Sequence, residues 1–217
     1  MPKWVKMILG ILLLPVCAGG VWALWRVMAD AGAAETTWVV LLAGAGCWLV
    51  IYLLLPRPMW IYVVGHELTH AVWTWMCGGQ VRKFKAGSDG GHVVVSKSNF
   101  LIALAPYFFP LYAILVAGVY LGGNLAWGWS RYAVWFHLAL GAAYAFHVTL
   151  TCHILKMRQT DITQQGYLFS AVVILLGNVG VLMVAMPLLT GRTGVWAAFK
   201  WWGQCTGEVL HRLGILF

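Results

Sequence analysis

Long apolar segments separated by short polar stretches dominate the chain. Six of them approach the roughly 20 apolar residues that a helix needs to cross a bilayer, and they cover 7–28, 38–55, 59–77, 99–120, 131–155 and 166–190. Pro56 and Pro58 separate the second segment from the third, because proline cannot continue a helix interior. The pattern predicts an all-α polytopic membrane protein with about six transmembrane helices.

Two stretches depart from this apolar pattern. Residues 81–98 contain two β-compatible runs around a Ser-Asp-Gly-Gly turn, which predicts a short β-hairpin near the membrane surface. Residues 194–217 mix aromatic side chains with Lys200, Glu208 and Arg212. This mixture is typical of an interfacial amphipathic helix, although a short re-entrant helix would have the same composition.

Composition agrees with a membrane protein. The 217 residues are 62% hydrophobic and only 9% charged, whereas about a quarter of the residues in a soluble domain are charged. No internal repeat or low-complexity tract divides the chain. We therefore expect a single integral membrane domain over 1–217.

The net charge of +8 indicates contact with lipid rather than with nucleic acid. Fourteen Lys and Arg face only six Asp and Glu, and the basic residues lie mostly in loops and at span ends. In those places they meet the anionic headgroups of a bilayer. No basic motif with nucleic-acid spacing occurs, so the lipid bilayer is an expected partner and nucleic acid is not.

The first twenty residues resemble a secretory signal peptide, with Lys3 and Lys6 before an apolar run. The apolar run continues to about Trp25, which is long enough to span a membrane. We therefore expect a retained first span. The five cysteines form no C-x-x-C pair, and we interpret them as small apolar core residues rather than metal ligands or disulfides.

Three ionisable residues lie inside the third apolar segment, in "VVGHELTHAVW". His66 and His70 are four residues apart, so on a helix they share one face and can bind one tetrahedral zinc ion. Glu67 follows His66 directly, and in this arrangement it acts as a general base toward the metal's water. Ionisable groups are costly within a membrane, which favours a metal centre over a set of hydrogen-bonded buried residues.

A catalytic zinc site of this kind requires a third protein ligand. Asp161, in "RQTDITQQG", is the best placed of the few acidic residues. Two predicted spans separate its loop from the loop after the third segment, so both loops lie on one side of the membrane. A helix N-cap is the structural alternative for Asp161. His147 and His153 compete with it as ligands, and His147 is also a candidate for binding the substrate or an oxyanion.

These features resemble the site-2 protease family of intramembrane zinc metalloproteases. "HELTH" within a span matches the family's zinc-binding helix, and the basic hairpin followed by "NFLIALAPYFFPLY" (99–112) resembles its β-element and proline-broken helix. "TDITQQG" stands where the family's aspartate ligand occurs. The resemblance covers about residues 59–180 and places a metalloprotease core at about 59–190, followed by the interfacial helix at about 194–217.

The resemblance implies an activity, a substrate class and a location. Zn²⁺ would be held by His66, His70 and Asp161, with Glu67 as the base. The enzyme would hydrolyse a peptide bond in or near a locally unwound transmembrane segment of a membrane protein, with Pro106 and Pro110 freeing backbone carbonyls near the site. We expect an integral membrane protein of the bacterial inner (plasma) membrane, where a further membrane-protein partner is unidentified.

Two other functional classes stay open at this point. The first is a catalytically inactive zinc-containing scaffold subunit of a larger complex, which the intact Glu67 disfavours because a structural zinc site needs no base. The second is a transporter that relays protons or metal ions through His and Glu. Paired half-helices or an inverted repeat would favour a transporter, and the sequence offers neither.

Overall fold

A computed structural model describes residues 1–33, 35–87 and 90–215. Within these residues the chain is mostly helical and has one two-stranded antiparallel hairpin, as the sequence predicts. The elements are α1 (Lys3–Leu12), α2 (Leu14–Asp30), α3 (Glu35–Leu54), α4 (Met59–Met76), β1 (Val81–Gly87), β2 (Gly90–Val95), α5 (Phe100–Leu104), α6 (Leu111–Trp127), α7 (Ala133–Leu155), α8 (Thr160–Gln165), α9 (Tyr167–Thr190) and α10 (Val195–Arg212).

Fewer helices than the predicted six have the length and hydropathy of a membrane span. Among the described residues three helical segments do, namely Thr36–Leu54, Trp129–Leu155 and Tyr167–Thr190. Two bent helix pairs raise the number to five if each pair is one span. The helix α4 is not among these candidates, since the motif that carries His66, Glu67 and His70 lowers its hydropathy.

Proline explains both bends. The helices α1 and α2 meet at 43°, just before Pro15. The segment Phe100–Tyr107, which begins with α5, meets α6 at 79°, and the bend lies between Pro106 and Pro110. Proline has no N–H and its ring clashes with the preceding helical turn, so a helix ends or bends there. The predicted segment 7–28 is therefore two helices rather than one continuous helix. The break within 99–120 lies in the stretch that resembles a proline-broken helix, as expected.

The chain forms two compact units, and the first contains Met1–Glu35 and Thr160–Phe217. In this unit α2 packs against α9 and α10. A buried cluster joins the three helices and consists of Ala23, Val27, Val179, Met183, Ala198 and Cys205. The guanidinium of Arg26 lies 5.0 Å from the Trp201 ring centroid, and that of Arg212 lies 5.2 Å from the Trp22 ring centroid. The helix predicted at 194–217 is present as α10 at Val195–Arg212. Its position at the membrane interface stays a prediction.

The second unit is continuous and covers Thr36–Gln159. The helix α4 packs against the hairpin and against α5 with the turn that follows it. The helices α3 and α7 cross closely at Gly44, where an added Cβ would overlap the Leu138 carbonyl oxygen. The indole N–H of Trp48 in α3 also donates to the Thr149 hydroxyl of α7 at 2.8 Å. This division into two compact units does not test the expectation of one domain over 1–217, which stays a prediction.

The hairpin follows α4 directly, as predicted. Its strands pair antiparallel with Lys85 opposite His92, and the register is irregular between Val81 and Lys83. The centre of the predicted turn, Ser88 and Asp89, lies outside the described residues.

Candidate metal centre

The helix α4 places His66 and His70 on one face, as their spacing predicts. Their ring centroids are 4.9 Å apart and their planes meet at 79°. His70 is buried and His66 is half-buried. Two imidazoles one helical turn apart can bind the same metal ion.

A hydrogen bond from a neighbouring element fixes the His70 ring. Its Nδ1 lies 2.8 Å from the carbonyl oxygen of Ile102 in α5. A carbonyl oxygen can only accept, so Nδ1–H donates, and in the neutral ring the lone pair is then on Nε2. This is the tautomer that binds a metal through Nε2, and metal-binding histidines in proteins are commonly oriented in this way.

Pro106 explains why the Ile102 carbonyl is available to His70. In a continuous α-helix that carbonyl would accept from the backbone N–H of residue 106. Proline has no N–H, so the carbonyl can accept from the imidazole instead. The Asn99 side chain caps α5 and accepts from the Ile102 backbone N–H at 2.8 Å. This geometry agrees with the expectation that a proline frees a carbonyl near the site.

The hairpin lies directly against Glu67. A Cβ added to Gly91 of β2 would be 2.6 Å from Glu67 Cγ and 3.0 Å from its Oε1. Glycine in a strand often marks a place where another group approaches the backbone closely. The Glu67 residue is only 8% exposed. A buried carboxylate is costly, which makes Glu67 a candidate functional group rather than a surface residue.

A cleft borders this face of α4. Its walls are largely aromatic and apolar, and they include Phe109 and Phe146. Five polar side chains also line the cleft, namely Tyr62, His66, Thr69, Tyr112 and His147. The Thr69 hydroxyl donates to the Gly65 carbonyl at 2.7 Å, and the Tyr112 hydroxyl donates to the Ile61 carbonyl at 2.5 Å. These two hydroxyls are therefore engaged with α4 itself.

The remaining predicted residues are distributed over both units. Asp161 lies in the first turn of the short helix α8, in the first unit, and is half-buried. A negative charge is favourable in that position of a helix. His147 is buried in α7 of the second unit, where His153 lies in the last turn. The assignment of Asp161 as third ligand stays a prediction.

Two features of the centre were missed by sequence reasoning. The hydrogen bond from His70 to Ile102 joins residues 32 positions apart, and its only sequence signal is a proline four residues after Ile102. The contact between Gly91 and Glu67 has a signal in the Gly-Gly pair at 90–91, which we interpreted only as part of a turn.

The Gly91 contact leads to a test of the hairpin's position. We expect Gly91→Ala to lower the thermal unfolding midpoint, because overpacking against Glu67 costs about 1–3 kcal/mol. Gly87→Ala is the matched control, since a Cβ there meets no described atom within 4 Å. Thermal unfolding of both variants, followed by circular dichroism, measures the effect. Equal midpoints would contradict the close approach of β2 to Glu67.

The second unit thus contains two imidazoles on one helical face, a fixed His70 tautomer and a buried carboxylate beside them. Such a set can hold a divalent metal ion and take up a proton next to it. Comparison of the chain with protein-family models, with curated proteins and with solved structures finds no match.

Proposed function

We propose that the protein is an intramembrane zinc metalloendopeptidase that hydrolyses a peptide bond in or near a transmembrane segment of a membrane protein. The observation that carries this proposal is a buried Glu67 that follows His66 directly, while His66 and His70 share one face of α4. The Nδ1–H of His70 donates to the Ile102 carbonyl, which orients its ring. This combination would supply metal ligands and a base at the same place.

The proposal includes location in a membrane. The three to five apolar helices support it, and α4 would be the sixth span once both bent pairs are counted as spans. A bundle that surrounds α4 would shield the polar motif from lipid. A bacterial inner (plasma) membrane is the proposed location, with the lipid bilayer and a transmembrane substrate as partners.

The proposed ligands are His66, His70 and Asp161. Together they offer two imidazole nitrogens and a carboxylate oxygen, a set that could hold a metal ion. Zinc accepts these donors and keeps a fourth position open in catalytic sites. An anionic ligand also offsets the charge that two neutral imidazoles leave in a medium of low dielectric. When bound, zinc supplies Lewis acidity that polarises a carbonyl and makes water a stronger acid.

Glu67 moves the proton in the proposed reaction. Its carboxylate accepts a proton from the attacking water while the water oxygen bonds to the peptide carbonyl carbon. The protonated Glu67 then donates that proton to the amide nitrogen as the C–N bond breaks. The products are a carboxyl group and an amine, and Glu67 returns to its ionised form, so no redox partner is needed.

Asp161→Asn is expected to weaken zinc binding and abolish cleavage, since the amide removes the negative charge. His147→Ala should leave zinc largely in place if Asp161 completes the ligand set. Zinc per chain, measured by mass spectrometry of the purified variants, compares the two. Full zinc in Asp161→Asn together with loss of zinc in His147→Ala would replace Asp161 by His147 as the third ligand.

N-termini that cleavage creates in membrane proteins test the proposed activity even while the substrate is unidentified. Cells that express the wild-type chain should contain N-termini, mapped within or beside transmembrane segments, that are absent from cells expressing Glu67→Gln. Substrates bound to the Glu67→Gln protein and recovered with it should include the same membrane proteins. Identical sets of N-termini in both cells would favour the inactive zinc scaffold.

A further inference from the structure

His147 contains a buried polar atom that no described residue satisfies. Its side chain is only 7% exposed, and Nε2 has no hydrogen-bond partner within the described part of the chain. Nearly all buried polar side-chain atoms in proteins have a partner. Leaving a nitrogen buried without one costs free energy, so the position requires an explanation that packing alone does not give.

The surroundings of His147 indicate what this nitrogen contacts in the working protein. His147 and the proposed zinc ligand His66 line the same cleft. Tyr62, Thr69 and Tyr112 also line it. The Thr69 and Tyr112 hydroxyls donate to carbonyls of α4, and the Tyr62 hydroxyl lies 3.4 Å from that of Thr151. An extended peptide in the cleft would bring its own carbonyl oxygens, which need donors wherever water is excluded.

We propose that His147 is a substrate-binding residue whose Nε2–H donates to the carbonyl oxygen of the peptide bond that is cleaved. This inference rests on the proposed proteolytic function and names a group that the function requires. As water adds to the carbonyl carbon, negative charge grows on that oxygen. A donor fixed beforehand in a site of low dielectric stabilises this charge more than it stabilises the substrate.

The placement of His147 on α7 suits this role. It lies in the middle of a helix that runs from Ala133 to Leu155, so its backbone is held in regular structure. The Phe146 side chain beside it packs against Trp48, with ring centroids 4.9 Å apart. A donor held by a packed helix needs little reorganisation during the reaction.

His147→Phe tests the proposal, because phenylalanine fills the space of the imidazole without a donor. With a substrate recovered by the Glu67→Gln protein, we expect kcat to fall by about 10²–10³-fold. The KM should change little, since the lost hydrogen bond strengthens mainly in the transition state. Zinc content should equal that of the wild-type protein, because His147 is not a ligand in this proposal.

His137→Phe is the matched control, since it makes the same change in α7 at a half-buried residue that does not line the cleft. It should retain the wild-type kcat. His147→Gln provides a second variant that keeps an N–H donor at a similar distance from the backbone. It should recover part of the kcat lost in His147→Phe, and it keeps the proposal testable if the phenylalanine variant does not fold.

Three results would overturn the proposal. A wild-type kcat in folded His147→Phe would show that the donor is not used, and loss of zinc would make His147 a metal ligand. Equal loss of kcat in folded His147→Phe and His147→Gln would assign the effect to shape. If wild-type protein cleaves and Glu67→Gln does not, each of these results removes only the His147 inference, whereas absence of wild-type cleavage removes the proposed function itself.

Discussion

His66→Ala and His70→Ala are each expected to lose most of the zinc from a protein that otherwise holds about one ion per chain. Either change removes one of the three proposed protein ligands, and the remaining two cannot hold a catalytic zinc well. His70→Ala also leaves the Ile102 carbonyl without the imidazole N–H that it accepts at 2.8 Å. Zinc per chain, measured on purified protein by plasma mass spectrometry, gives the result.

The control for this measurement is His137→Ala, which alters a half-buried histidine of α7 outside the proposed ligand set. It should keep the wild-type zinc content. Full zinc in both His66→Ala and His70→Ala would mean that the metal binds elsewhere on the chain.

Glu67→Gln is expected to keep zinc and fold but lose cleavage by about 10²–10⁴-fold, the usual contribution of a general base. Glutamine has nearly the same size as glutamate, so its packing against Gly91 can be retained. Its amide cannot take a proton from water, so the attacking oxygen is not activated. Initial rates of substrate cleavage, measured at equal zinc content, compare the variant with the wild-type protein.

Glu208→Gln makes the same chemical change at an exposed position of α10. Its cleavage rate should equal that of the wild-type protein, which separates loss of the base from loss of one negative charge. A wild-type rate in Glu67→Gln would exclude Glu67 as the base.

Sequence pattern predicted the individual helices well where proline or glycine marks their ends. The third segment, 59–77, agrees with α4 at Met59–Met76, because Pro58 precedes the helix. The sixth segment, 166–190, agrees with α9 at Tyr167–Thr190, which begins after Gly166 and ends before Gly191. The hairpin was predictable because its β-compatible runs interrupt a helical, apolar chain.

Bends and spans were predicted less well, since hydropathy averages over a segment and does not record its direction. The break near Pro106 and Pro110 was expected from the resemblance to a proline-broken helix, whereas Pro15 lies inside an apolar run that looks continuous. The count of six spans included α4, whose motif makes it less apolar than α3, α7 and α9, the helices that are long and apolar enough to span alone. The short helix α8 was expected only as a loop with a capping residue, because six residues carry too little periodicity to reveal a helix.

The sequence predicted which residues of α4 form the candidate metal centre, but it did not predict how their side chains are oriented and buried. Four-residue spacing alone places His66 and His70 on one helical face, because helix periodicity is local. The ring orientation of His70 depends on Ile102, and the burial of Glu67 depends on the hairpin. Both are tertiary contacts that no local pattern encodes.

Removal and restoration of zinc test the central claim most directly. The purified wild-type protein in lipid vesicles should lose cleavage of its membrane-protein substrate when a chelator strips the metal. Cleavage should return as zinc is added back, and it should reach its maximum near one equivalent per chain. Undiminished cleavage by protein shown to hold no metal would contradict the assignment of a zinc protease centre to α4.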